Sequence, residues 1–119
     1  MLILTNNSKV KTYFEGRAQV IYEEKRPVEL LKQARDLIHQ GHELLTHPLS
    51  GSISPRAAPY KSMALSRERK ELDLSSLRLI EEAIRAYEGD EAPILNHPQS
   101  ILEDFKEVDF ALIKGAQEE

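Results

Sequence analysis

Met1-Leu2-Ile3-Leu4-Thr5-Asn6-Asn7 opens the chain with four apolar side chains in succession, stopped by a threonine and two asparagines. A run that is apolar at odd and even positions alike suits a strand buried on both faces better than an alternating edge strand. Asn6, Asn7 or Ser8 then caps a short helix from about Ser8 to Phe14. That helix buries Val10, Tyr13 and Phe14 on one face, and Gly16 ends it. A second strand is expected at about Ala18 to Tyr22.

Pro27 opens the clearest helix. A proline suits the first helical turn because its missing N–H has no intrahelical acceptor there, and Glu29 places a negative charge near the positive end of the dipole. Leu30, Leu31, Ala34, Leu37 and Ile38 form the apolar stripe, Lys32, Gln33 and Asp36 face water, and Gly41 is placed to end the helix in the left-handed conformation. Glu43 to Thr46 reads as a short third strand with Leu44 and Leu45 inside. Strand, helix, strand, helix, strand within 46 residues is the pattern of a parallel βαβαβ unit. Its first and third strands would point the same way, setting Asn6-Asn7 and His47-Pro48 at the carboxyl edge, where open α/β sheets hold ligands.

Tyr60 to Ser66 reads as a fourth strand, with Met63 and Leu65 apolar. The segment from Pro48 to Pro59 shows no helical period, and a parallel return normally needs a crossover helix, so the reading leans to an antiparallel fourth strand. An extended crossing that enters in parallel is the alternative. Asp73 to Tyr87 is a further amphipathic helix, with Leu77, Ile80, Ala83, Ile84 and Tyr87 on one face, Asp73 or Ser75 as cap and Gly89 as stop. A last helix starts at about Gln99 and carries Ile101, Leu102, Phe105, Val108, Leu112 and Ile113 at a helical period, with fraying expected from Gly115 onward. The expected fold is a single α/β domain over residues 1–119, a two-layer or three-layer βαβαβ-type protein whose mostly parallel sheet has about four strands and flanking helices.

Composition narrows the chemistry. With 119 residues, 40% of them hydrophobic and 30% charged, the chain is the size of one globular domain with its own core. Its net charge of −4 argues against broad, charge-driven binding to nucleic acid or anionic membrane. The absence of cysteine rules out disulfides, Cys-based zinc sites, iron–sulfur clusters and thiol catalysis, and points to a reducing cytoplasm. The apolar start is too short for a secretory signal or a spanning helix.

The stretch His39–Ser62, HQGHELLTHPLSGSISPRAAPYKS, holds three of the four histidines in a run too polar for core and too long for a plain connection. A metal site on His39, His42, His47 and His97 is not expected. Gly41 breaks the helix between the first two, and no carboxylate sits at a familiar ligand spacing. His39 has a simpler role, interacting with the negative end of its helix dipole. His47, before Pro48 at a strand end, is the histidine kept as functional, since an imidazole is the side chain most often used as a general base. Leu49-Ser50-Gly51-Ser52 offers hydroxyls and backbone N–H groups beside a glycine, which reads as plain turn chemistry or as an anion-binding nest. It has neither the Walker nor the GxGxxG spacing, and no GxSxG elbow. Lys61 and Arg56 are either positive charge for the same mouth or solvated flanks.

Ile3-Leu4-Thr5-Asn6-Asn7, Arg35-Asp36-x-Ile38-His39-x-Gly41-His42-x-Leu44-Leu45-Thr46-His47-Pro48-Leu49-Ser50-Gly51-Ser52, then Pro55 and Pro59-Tyr60-Lys61-Ser62, resemble the GrdX family. These are small proteins encoded with the glycine reductase system of amino-acid-fermenting anaerobes. The resemblance implies a cytoplasmic accessory protein associated with glycine reductase components, and it supplies no activity and no catalytic residue. The resulting expectation is a module that uses the loop after the third strand to bind a small anionic metabolite or a partner. Its ligand-binding residues would be Asn6, Asn7, His47, Ser50, Gly51, Ser52 and Lys61, with no cofactor, metal, nucleic acid or membrane. The alternative is a small enzyme with His47 as general base.

Overall fold

The computed structural model describes residues 1–48, 59–89 and 97–117. Strand β1, Leu2–Thr5, is buried along its whole length and forms the centre of the sheet. Strand β2, Gln19–Tyr22, lies parallel to it, with Leu2 opposite Gln19 and Thr5 opposite Tyr22. Strand β3, Ser62–Leu65, lies antiparallel on the other side, with Leu2 opposite Leu65 and Thr5 opposite Ser62.

The alternation of side chains along a strand sorts β1 between two cores. Leu2 and Leu4, with Met63 and Leu65 of β3, face helix α2 (Pro27–His39) and helix α3 (Leu74–Gly89) through Leu30, Leu31, Ala34, Ile38, Ile80, Ala83 and Ile84. Ile3 and Ala64 face the opposite way, onto Val10 and Phe14 of helix α1 (Ser8–Phe14) and Ile113 of helix α4 (Gln99–Gln117). The arrangement has three layers, with helices on both faces. This is why the first strand carries no polar face.

Local signals set the helix ends. Asn7 caps α1 by accepting from the Lys9 N–H at 3.0 Å, Pro27 stands in the first turn of α2, and the Asp73 carboxylate accepts from the Ser76 N–H at 3.0 Å at the start of α3. Gly41 follows α2 with φ +107°.

Three expectations are corrected. Among the described residues the sheet has three strands and is mixed, not four and mostly parallel. Glu43–Thr46 is no full strand: it meets β3 only at the isolated Leu44–Leu65 bridge. Its backbone bonds run from Leu45 N–H to the Ala64 carbonyl (2.8 Å) and from Ser66 N–H to the Glu43 carbonyl (2.7 Å). Side chains take the neighbouring positions: the Ala64 N–H donates to the Thr46 hydroxyl at 3.1 Å, and the Glu43 N–H to the Ser66 hydroxyl at 2.7 Å. Such side-chain bonds compete with a ladder and cut it short, and Leu45, expected inside, is 51% exposed.

The third correction concerns α4, which turns a different face inward. Ile101, Val108 and Leu112 are exposed, while Phe105, Lys106, Asp109, Phe110 and Ile113 are partly or fully covered. Phe110 packs edge-on against Tyr13 at 5.0 Å between ring centres, and Lys9 of α1 pairs with Glu107. The helix also continues through Gly115 to Gln117. The antiparallel direction expected for the last strand is the one found.

Candidate functional site

The carboxyl ends of β1 and β2 and the amino end of β3 meet at one edge of the sheet. There the Thr5 and Ser62 hydroxyls, opposite each other in register, are 2.6 Å apart. Asn6 follows and ties three segments together. Its Nδ2 donates to the Lys25 carbonyl at 2.8 Å and to the Pro59 carbonyl at 2.9 Å, and its Oδ1 accepts from the Lys61 N–H at 2.8 Å. A side chain that uses both amide donors and its acceptor on backbone groups fixes the edge as a rigid frame.

Asn7 does the same for the helical layer. While its Oδ1 caps α1, its Nδ2 donates to the Lys106 carbonyl at 3.0 Å and to Asp109 Oδ2 at 3.0 Å. Asp109 Oδ2 also accepts from the Ser62 hydroxyl at 2.7 Å. Burial pushes the Asp109 carboxyl above the usual carboxylate range, and the bonds from Asn7 and Ser62 and the charge of Lys61 work against that. Lys61 is buried too, and burial lowers its pKa against the pull of Asp109. Tyr87 of α3 is pushed up, first by burial and then by the charge of Asp109.

Beside this frame lies a cleft of about 360 Å³, lined by Asn6, Tyr22, Glu24, Lys25, Tyr60 and Lys106. The Lys106 ammonium stands 5.6 Å from the centre of the Tyr60 ring, and the Lys11 ammonium 5.4 Å from that of Tyr22. The Tyr22 hydroxyl donates to Glu24 Oε1 at 3.2 Å. Its pKa is raised by burial and then by the Glu24 charge. A wider, mixed-charge hollow of about 540 Å³ lies at the opposite sheet edge, among Met1, Gly41, Glu43, Arg67, Lys70 and Asp73.

Of the residues singled out from sequence, Asn6, Asn7 and Lys61 are brought to one place. Lys61 lies beneath the site as a buried charge rather than at its mouth. His47 is exposed. The Glu43–Thr46 segment runs antiparallel to β3 and therefore in the direction of β1, so His47 leaves at the same end of the sheet as Asn6, with β3 between them. Ser50, Gly51 and Ser52, with Pro55 and Arg56, lie outside the described residues. Sequence reading missed Asp109, Lys106, Tyr22 and Tyr60. For Asp109 a signal existed: Leu102, Lys106, Asp109 and Ile113 share the helical spacing of four, three and four, which sets the acid in line with two apolar side chains.

Among the described residues no three His, Asp or Glu side chains gather so as to hold a metal ion, and no helix is long and apolar enough to cross a membrane. The protein-family model described as "GrdX-like protein" matches residues 2–118. Neither the curated proteins nor the solved structures contain a match.

Proposed function

Since the chain belongs to the GrdX-like protein family, we propose that it is an accessory protein that binds a small anionic metabolite at the carboxyl edge of its sheet. The observation that carries this reading is the Asn6 clamp. One amide locks three segments from distant parts of the sequence together and lines a cleft that also carries Lys25 and Lys106. A preformed concave site with a few convergent polar groups is the usual form of a small-molecule site. Asn6 and Asn7 hold the frame, Lys61 and Asp109 are buried beside it, and Lys25 and Lys106 receive the anion in exchange for their ion pairs with Glu23 (2.6 Å) and Glu103 (3.5 Å). The family tie to glycine reductase makes the reductase components the protein partners to try in pull-down.

The test is a thermal-shift screen with inorganic phosphate, acetyl phosphate and amino acids, repeated on Lys106→Met and His47→Ala. Substituting the Lys106 side chain leaves its carbonyl free to keep the Asn7 bond. A ligand at about 100 times its Kd adds about 2.7 kcal/mol of stability, a rise in Tm on the order of 10 °C for a domain of this size. The shift is expected to disappear in Lys106→Met. A shift lost in His47→Ala would add His47 and its loop to the site. No shift with any compound, or a shift unchanged in Lys106→Met, would overturn the reading.

A further inference from the structure

We infer that the cleft accepts an anion carrying a planar ring, of the size and kind of a nucleoside monophosphate, rather than a bare inorganic anion. This deepens the binding reading above and rests on it.

Size speaks first. A cleft of about 360 Å³ falls at the lower end of the range that holds drug-sized ligands, roughly 300–1,000 Å³. Phosphate or sulfate, with five heavy atoms, would fill a small part of it and leave the tyrosine walls wet. Charge speaks next. Glu24 lines the same cleft as Lys25 and Lys106, and a carboxylate beside a bare anion is repulsive. It is useful only to a ligand that also brings N–H or O–H donors. The Tyr22 hydroxyl occupies Oε1 of Glu24 from one side, and a carboxylate has about four lone-pair sites in all. Capacity therefore remains for a sugar hydroxyl or an exocyclic amine.

The rings give the third reason. Tyr22 and Tyr60 both line the cleft and both are partly exposed. Aromatic side chains give a ligand ring a stacking surface that hydrogen-bond partners cannot supply. Lys106 lies close to the Tyr60 ring, so an anion held by that ammonium is delivered beside a ring face. A molecule that joins an anionic group, a hydrogen-bond donor and a planar ring meets all three demands, and a nucleoside monophosphate is of that kind.

The experiment is isothermal titration of the full chain with AMP, ribose 5-phosphate, adenosine and inorganic phosphate, each repeated on Tyr60→Leu. AMP is expected to bind about tenfold or more tightly than ribose 5-phosphate, and Tyr60→Leu to erase that difference while leaving ribose 5-phosphate unchanged. Equal affinity for AMP and ribose 5-phosphate, or an equal loss of both in Tyr60→Leu, would overturn the ring and leave the anion site standing. Adenosine binding as well as AMP would overturn the inference together with the anion reading beneath it, and no binding by any of the four would overturn the inference and leave the anion reading to the acetyl phosphate and amino acid arms of the thermal-shift screen. Circular dichroism of Tyr60→Leu confirms that the variant is folded.

Discussion

Asp109→Ala should loosen the docking of α4, and the structure sets the size of the effect. One carboxylate oxygen accepts from Asn7 at 3.0 Å and from Ser62 at 2.7 Å, and hydrogen bonds to a charged group contribute about 1.5–3 kcal/mol each. Both partners keep a second bond, Asn7 to the Lys106 carbonyl and Ser62 to Thr5, which holds the loss near the lower figure. Lys61 is left buried without the charge that opposes its desolvation. The expected loss at pH 7 is about 3 kcal/mol, a fall in Tm on the order of 10 °C. Asp109→Asn keeps an oxygen acceptor for both donors and should lose less than half as much.

The pH dependence of the same site has a definite sign. In the unfolded chain an aspartate titrates near 3.9, whereas burial raises it in the folded state. Between the two values the folded protein holds a proton that the unfolded chain has released, so stability falls as pH rises through that window. Below the unfolded value and above the folded one this group adds no slope. Urea unfolding of wild type and Asp109→Asn from pH 3.5 upward measures the difference. The wild type's advantage should be largest at the acid end and shrink as pH rises. An advantage that grows with pH, or an Asp109→Ala loss under about 1 kcal/mol, would refute the assignment of Asp109 as the buried tether of α4.

Gly41→Ala should cost about 4 kcal/mol, because the residue sits at φ +107° and a Cβ there would lie 2.1 Å from the Lys70 carbonyl oxygen. Gly16→Ala is the control: its φ is also positive, at +81°, but nothing lies within 4 Å, so strain alone should cost about 1–2 kcal/mol. Equal Tm values for the two variants would contradict the close approach of residues 41 and 70. Ser76→Ala removes the acceptor of the buried Leu44 N–H (2.9 Å) and the hydroxyl bond to Asp73 (2.5 Å); chemical denaturation should show a loss of about 1–3 kcal/mol. Leu4→Ala empties a fully buried position in the larger core and should cost about 2–5 kcal/mol by the same measurement.

The parts of the fold legible in the sequence are those where local pattern and global packing make the same demand. Met1–Thr5 is apolar throughout because β1 is covered by helices on both faces. Pro27 and Gly41 bracket α2 because each suits the conformation its position requires. Glu43–Thr46 was illegible for the opposite reason: Leu44-Leu45 reads as a strand core, but whether a ladder extends depends on the partner. Here the Thr46 and Ser66 hydroxyls displace backbone acceptors. The inner face of α4 was hidden in a similar way. Its apolar residues go around the helix, so hydrophobicity alone leaves the rotation undecided, and the tethers from Asn7 and Lys9 decide it.

The candidate site divides along the same line. Asn6 and Asn7 stood out because paired amides after a buried strand fall at the carboxyl edge of a sheet, and that inference needs only the direction of β1. What the amides do there could not be read, since their partners at Lys25, Pro59, Lys106 and Asp109 come from three other parts of the chain. An acid on an amphipathic helix is ordinarily solvated, and the line that Asp109 shares with Leu102 and Ile113 is matched by the one that Asp104, which is exposed, shares with Ile101 and Val108. Only the meeting of α4 with β1 and β3 makes it the counter-charge of Lys61. The histidine-rich loop is conspicuous by composition, yet the described frame is built of amides, hydroxyls and the buried Asp109 carboxylate. That chemistry holds a shape at the carboxyl edge of the sheet. The proposed binding reading rests on that frame, and His47 shares with it the same end of the sheet.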